Sequence, residues 1–329
     1  MPKQIERRID VTEAAALGEK IELAVTIYLP DPDVLPERPV AIFASPGGGY
    51  SRRYFDLRFP NHQGYSEAEY HVSRGLIYVA VDHIGVGEST IPDLSRITFQ
   101  TFAATNDSCV RQVAAELETG ALDPGFPACR NLFKVGMGQS MGGGVTILTQ
   151  GRFATYDGIA PCGKSAIHTA LPQRSREDFE RGKQRFAGVV QGALGQSHET
   201  VSHEGVDYLY GFHWEDVPAD ILEADMKGGY PFRQTSPEFG SLTLPHCAVQ
   251  MMTAGCFKAE VAHIEVPVFI GVGERDVCPD PHAEPSAYRS SRDVSLFIVP
   301  TMAHMHNFAS TRAQLWARLH AWSRMVAGA

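Results

Sequence analysis

Three side chains far apart in the sequence carry the chemistry this chain offers. Ser140 stands in Gly138-Gln139-Ser140-Met141-Gly142, while Asp276 and His304 each lie just past an apolar run, Val268-Phe269-Ile270-Gly271-Val272 and Phe297-Ile298-Val299-Pro300. A serine hydroxyl is a poor nucleophile at neutral pH. It needs a base within hydrogen-bond reach, and the base needs a carboxylate to fix its tautomer. The pattern G-x-S-x-G alone arises too readily by chance to carry weight, so its context decides. The short strand read over residues 133–136 runs straight into it, and residues 143–150 read as a helix. A strand must therefore end and a helix begin at Ser140, a sharp turn that flanking glycines permit. Such a turn lifts the hydroxyl above the sheet and points the Met141 N–H, at the helix start, toward an oxyanion formed there.

Each assignment has rivals. Glu274 lies nearer the strand than Asp276, and Asp280 sits past Pro279; the spacing of such loops favours Asp276. His306 is the second candidate base, but if Pro300 ends the strand, His304 comes first in the loop. His304-Met305-His306 without a nearby Cys or carboxylate in sequence is a poor metal signature. Gly136-Met137-Gly138 with Gly142 could instead form a dinucleotide loop. That reading wants an acidic residue about 20 positions later, and the region near Ala160 and Pro161 offers none.

The elements that would position these residues follow from periodicity. Residues 20–28 alternate like a half-exposed strand, and 40–44, 76–82, 133–136, 157–160, 266–272 and 294–299 read as further strands. Helical spacing appears over 66–74, 101–119, 143–150, 174–190, 218–225 and 310–325. Strands alternating with helices indicate a largely parallel sheet covered by helices. From 165 to about 264 the pattern changes to helices and long loops, an insertion between two halves that complete one sheet only when joined.

Composition narrows the function classes. The chain has 329 residues, 43% of them hydrophobic and 20% charged, which is an ordinary globular balance. Its 29 Lys and Arg against 38 Asp and Glu give a net charge of −9, which disfavours a non-specific grip on nucleic acid or an anionic membrane. A small-molecule substrate is the expected partner, and homo-oligomerisation stays open. The segment 11–17 is too short and acidic for a signal-peptide core, and no apolar run is long enough to span a bilayer. Six cysteines without a C-x-x-C pair fit buried thiols in a reducing cytosol better than a disulfide scaffold or zinc site. The expected location is cytoplasmic.

Taken together, the motifs resemble the α/β-hydrolase fold family over both halves of the chain, though not over the insertion. Ser45-Pro46-Gly47-Gly48-Gly49 resembles the family's oxyanion loop, and Asp82-His83-Ile84-Gly85-Val86-Gly87-Glu88-Ser89 its D-x-x-G-x-G-x-S segment. The elbow and then the acid and histidine loops follow in the family's order. One departure is Pro46, where a histidine usually precedes the first oxyanion glycine. The resemblance implies an α/β fold: a mostly parallel eight-stranded sheet flanked by helices, with a largely helical cap inserted after strand 6. Residues 1–164 and 265–329 would form the core and 165–264 the cap.

The activity so implied is that of a serine hydrolase using Ser140, His304 and Asp276, with the N–H groups of Met141 and Gly48 on the oxyanion and no metal or organic cofactor. The expected substrate is a small to medium, partly hydrophobic ester, lactone or thioester. Gly49, Arg52, Tyr208 and Trp214 are candidate substrate contacts, although surface solvation for the arginine and a role in the cap's own core for the aromatics are the commoner fates of such residues. Asp82 is expected to hold its own loop. The same three residues would also serve carbon–carbon bond hydrolysis of diketone-like substrates or cofactor-free perhydrolysis, and a non-catalytic ligand-binding protein on this fold is the alternative of another class.

Overall fold

The computed structural model describes residues 3–180, 207–230 and 233–329. Eight strands form one sheet in the order β1-β2-β4-β3-β5-β6-β7-β8. They are β1 Lys3–Asp10, β2 Glu22–Leu29, β3 Val40–Ser45, β4 Ile77–Val81, β5 Phe133–Gln139, β6 Gly158–Cys162, β7 Val268–Arg275 and β8 Val294–Ala303. β1 and β2 run antiparallel to their neighbours, and every pairing from β4 to β8 is parallel. β1 is the strand that the sequence reading does not name. Its alternation Lys3-Gln4-Ile5-Glu6-Arg7-Arg8-Ile9-Asp10 leaves mainly Ile9 buried, and the charges it exposes suit an edge strand that must not pair with other chains.

The inner strands are buried on both faces, so they read as continuous apolar runs rather than alternations. In β3, Ala41 and Phe43 face one core with the helices α3 (Phe99–Thr119) and α4 (Met141–Phe153). Val40, Ile42 and Ala44 face the other with α2 (Glu67–Val72) and the last helix, α8 (Arg312–Ala327). The period of two along the strand thus divides the core between the two layers. α3 starts at a capping box between Thr98 and Thr101 and ends at Gly120, whose φ of +77° is the left-handed conformation that closes a helix. Thr12–Ala15 forms the short helix α1.

Between β6 and β7 the described residues form α5 (Tyr208–Phe212), α6 (Ala219–Met226), a 3-10 segment His246–Met252 and α7 (Lys258–Val261), with loops between them. The helix expected over 218–225 is α6; of the one expected over 174–190, residues 176–180 are helical and those past 180 lie outside the described residues. No helix among the described residues is long and apolar enough to cross a membrane.

Strand order determines where a site can form. β3 pairs with β4 on one side and β5 on the other, so successive crossovers leave it in opposite directions and a crevice opens at the carboxyl ends of β3 and β5. Ser45-Pro46-Gly47 leaves β3 there, and Ser140 leaves β5. Gly142 makes that proximity possible: a Cβ on it would lie 1.9 Å from the Ser45 carbonyl oxygen. Alanine suits a helix better than glycine by about 1 kcal/mol, yet at this position the collision outweighs propensity. Gly142→Ala is expected to lower stability by about 1–3 kcal/mol in urea titrations; an unchanged or raised midpoint would show that the β3 end and the α4 start are not so tightly opposed.

Candidate active site

Ser140 has φ 54° and ψ −114°, a conformation that non-glycine residues rarely adopt. Its N–H donates to the Cys162 carbonyl at the end of β6 (2.8 Å), and its own carbonyl accepts from Gly144 N (3.2 Å). A Cβ on Gly138 would sit 2.1 Å from Gly142 backbone atoms, so the strand and helix on either side approach more closely than side chains allow. The result presents Oγ at the carboxyl end of the sheet, beside the first amides of α4, which have no intrahelical partner.

Across the sheet, β7 ends at Arg275 and Asp276 follows it; β8 ends at Ala303 and His304 follows it. Asp276 Oδ1 lies 2.6 Å from His304 Nδ1, and His304 Nε2 lies 2.9 Å from Ser140 Oγ. The carboxylate can only accept, so Nδ1 carries the ring proton, and Nε2 is left to accept from the serine hydroxyl. Burial holds the His304 pKa below 6.5 against the opposing pull of Asp276. Burial alone would raise the Asp276 pKa, but the charges and hydrogen bonds of His304 and His306 outweigh it and hold the carboxyl well below the usual range. His306 Nε2 takes the other oxygen, Oδ2, at 2.7 Å.

The rival carboxylates lie elsewhere. Glu274 accepts from Thr301 N (2.9 Å) and Asp280 from Ala283 N (3.3 Å). Cys162, next to the elbow, is no competing nucleophile, because burial pushes its thiol pKa up. Among the described residues no group of three His, Cys, Asp or Glu side chains is placed to hold a metal ion.

The glycine loop after β3 is held from two sides. Gly47 lies against the elbow, where a Cβ would approach Gln139 Oε1 to 2.3 Å and Ser140 Cβ to 3.2 Å; Gly48 faces Leu244 of the inserted segment. Gly49, with φ +80°, turns its carbonyl to Ser241 N (3.0 Å) and Arg233 Nε (3.2 Å). Ser51 N donates to Phe239 O (2.9 Å), so the loop and residues 239–241 pair like two short antiparallel strands.

Behind this pairing lies a fully buried carboxylate, Asp225. It accepts from Tyr50 Oη (2.9 Å), His213 Nε2 (2.8 Å) and Arg233 Nη2 (2.9 Å), while Arg233 Nη1 also donates to the Asp225 carbonyl. None of this cluster is visible in the sequence, where Asp225 is one of several charges around the end of the predicted helix 218–225 and Arg233 lies beyond that helix. Only the fold brings them to Tyr50, one residue past the loop.

The insertion also reaches the histidine. α5 ends with the Gly211 carbonyl accepting from His304 N (3.3 Å) and the Phe212 carbonyl from Met305 N (2.8 Å), and the Phe212 ring lies 5.2 Å from the His304 ring. Gln139 Nε2 donates to the His304 carbonyl (2.9 Å), tying the elbow to the same loop.

The candidate substrate contacts separate. Arg52 is 3% exposed and spent on structure: Nε donates to Thr26 Oγ1, Nη1 to Asp82 Oδ2 (2.6 Å) and Nη2 to Glu6 and Glu88. Neither expectation for it, a substrate contact or a solvated surface cation, fits, since it is buried and each guanidinium nitrogen already has a partner. Asp82 also accepts from the amides of Arg52 and Glu88, so it holds its own loop. Trp214 and Tyr210 stack on the Arg275 guanidinium (4.5 and 3.9 Å), which joins the aromatic segment to the end of β7. Tyr208 lies beside Phe212, with ring centroids 5.2 Å apart.

No protein-family profile and no curated protein matches the chain by sequence. Solved structures do match by shape. A thermophilic esterase from Thermogutta terrifontis is 16% identical with a TM-score of 0.62, the match covering 97% of this chain and 99% of that one. A soluble variant of monoglyceride lipase from Saccharomyces cerevisiae is 18% identical with a TM-score of 0.61, covering 99% and 96%. A bromoperoxidase from Bacillus anthracis is 15% identical with a TM-score of 0.60, covering 98% and 100%. The fold is that of the α/β hydrolases.

Removing one partner of a buried ion cluster strands the others without water. Asp225→Ala is expected to lower stability by about 3–5 kcal/mol in denaturant unfolding, whereas Arg53→Ala, at an exposed pair with Glu88 and Glu238, should change it by no more than about 0.5 kcal/mol. Equal effects would mean that the Asp225 cluster does not hold the insertion to the glycine loop.

Proposed function

We propose that the chain is a serine hydrolase acting by acyl transfer on a small to medium, partly hydrophobic carboxylic ester, lactone or thioester. The observation that carries this reading is the unbroken path from Ser140 Oγ through His304 to Asp276, with links of 2.9 and 2.6 Å, built at a strained strand-to-helix turn. His304 Nε2 takes the hydroxyl proton as Ser140 attacks the carbonyl carbon. The imidazolium that forms is stabilised by Asp276 and returns its proton to the leaving group. Negative charge on the carbonyl oxygen develops beside the Met141 and Gly48 N–H groups. Water, activated by the same imidazole, then releases the acid and restores the serine.

Residues 165–264 act in this reading as a cap. The contacts of Phe212 with His304 and of Ser241 and Arg233 with Gly49 support that role, and apolar Phe212 and Leu244 beside the reacting groups support a partly hydrophobic substrate. The thermophilic esterase and the monoglyceride lipase of similar fold are in keeping with ester chemistry. Six unpaired cysteines suit a cytoplasmic setting.

Steady-state kinetics on panels of p-nitrophenyl esters, lactones and diketones test the proposal. Ser140→Ala is expected to lower kcat by a factor on the order of 10⁶ and Asp276→Asn by a factor on the order of 10⁴, with the fold retained. Near-normal turnover by a folded Ser140→Ala protein would remove the serine from the mechanism, and activity confined to diketones would replace ester hydrolysis by carbon–carbon cleavage. Because only neutral His304 can accept the proton, kcat/KM should fall toward acid pH as the ring protonates. Burial lowers that pKa, so the acid limb is expected below pH 6.5. A limb above that value would contradict a buried imidazole base.

A further inference from the structure

We propose that His306 is a positioning residue for the acid–base pair: its Nε2–H holds Oδ2 of Asp276, so that His304 is the one imidazole on Oδ1. The inference rests on the mechanism proposed above and extends it to a second imidazole. Asp276 receives four hydrogen bonds, from His304 Nδ1 (2.6 Å) and Val277 N (2.7 Å) on Oδ1, and from His306 Nε2 (2.7 Å) and Gly273 N (2.8 Å) on Oδ2. An ionised carboxylate has about four acceptor positions, so these donors fill it. Its plane is thereby fixed, which a single contact from His304 would not do.

The surroundings are built for two rings. Gly163, with φ +56°, leaves room where a Cβ would come within 3.2 Å of His306 Cε1 and 3.3 Å of His304 Nδ1. The chain just past His306 is anchored through Asn307: its N–H donates to Tyr54 Oη (3.1 Å), its Nδ2 to Glu67 (2.9 Å), and its Oδ1 accepts from Trp316 Nε1 (2.9 Å). His306 is itself buried, and its Nδ1 has no hydrogen-bond partner among the described residues. A proton on Nδ1 would therefore be an unsatisfied buried donor, which favours the tautomer with its proton on Nε2.

A donor on Oδ2 draws charge from the carboxylate and weakens its support for a protonated His304, so His304 stays a free base to lower pH. The other groups acting on the pair do not replace this effect. Lys164, whose Nζ donates to Met251 O (2.8 Å), also opposes protonation of His304; Cys162 and Cys278 near Asp276 are kept as neutral thiols by burial; Phe212, covering His304 from the insertion, is apolar.

Histidine-labelled NMR of the full chain tests the inference without requiring turnover. In the unmodified protein His306 is expected as the Nε2–H tautomer. His306→Phe keeps the ring volume and removes the donor, and should raise the midpoint of the His304 titration, and the acid limb of kcat/KM with it, by about 0.5–1 pH unit. His306→Gln, whose amide nitrogen reaches the place of Nε2, should restore the unmodified midpoint. A purely space-filling His306 would give the opposite ranking. An Nδ1–H tautomer in the unmodified protein would overturn the inference even if the phenylalanine variant failed to fold, as would an unchanged midpoint in folded His306→Phe or a glutamine variant shifted as far as the phenylalanine one. A shifted His304 midpoint in a protein that hydrolyses nothing would sink the proposed reaction and leave the role of His306 standing.

Discussion

The backbone of Ser140 is the constraint on which the rest depends. A serine at φ 54° and ψ −114° stores about 1–3 kcal/mol of strain that surrounding structure must hold in place. It is held by the Ser140 N–H on the Cys162 carbonyl and by glycines at 138 and 142 that let β5, α4 and the end of β3 close to distances no Cβ would allow. Relaxing that turn would take Oγ away from His304 and separate the first amides of α4 from the glycine loop. The stability of the sheet is thereby tied to the geometry of the hydroxyl.

Two buried carboxylates answer the same electrostatic problem differently. Leaving a buried charge unpaired costs several kcal/mol, and both Asp276 and Asp225 escape that cost by saturating their oxygens with donors. Asp276 does so with two imidazoles and two amides at the ends of β7 and β8, so its charge is directed at the His304 ring beside Ser140. Asp225 does so with a tyrosine, a histidine and an arginine, and its charge is spent on architecture. Because Arg233 also reaches Gly49, the insertion and the glycine loop share one set of interactions. The segment between β6 and β7 therefore shapes the site from above the sheet while helping to hold its floor.

Local pattern made much of this legible. Runs such as 40–44 and 76–82 are apolar on both faces because their strands lie in the sheet interior, and the glycines around Ser140 mark the tight strand-to-helix turn that needs them. Loop spacing favours Asp276 over Glu274 and Asp280, and of the three it is Asp276 that meets the His304 ring. Long-range contacts were not legible. The charged first strand has too little apolar content to announce itself, and Arg52 looks like a surface cation until Asp82, Glu6 and Glu88 are brought to it by the sheet edge. His306 could be read as a rival to His304, but a role beside it depends on two oxygens of one carboxylate, which spacing cannot express.

The central claim is that Ser140 is an activated nucleophile in the folded chain. Treating the protein with a serine-directed alkyl phosphonate and mapping the adduct by mass spectrometry tests it most directly. The account predicts one label per chain, on Ser140, lost on unfolding and in His304→Ala. Absence of label in the native protein, at probe concentrations that modify a known serine hydrolase, or label spread over other serines, would contradict it.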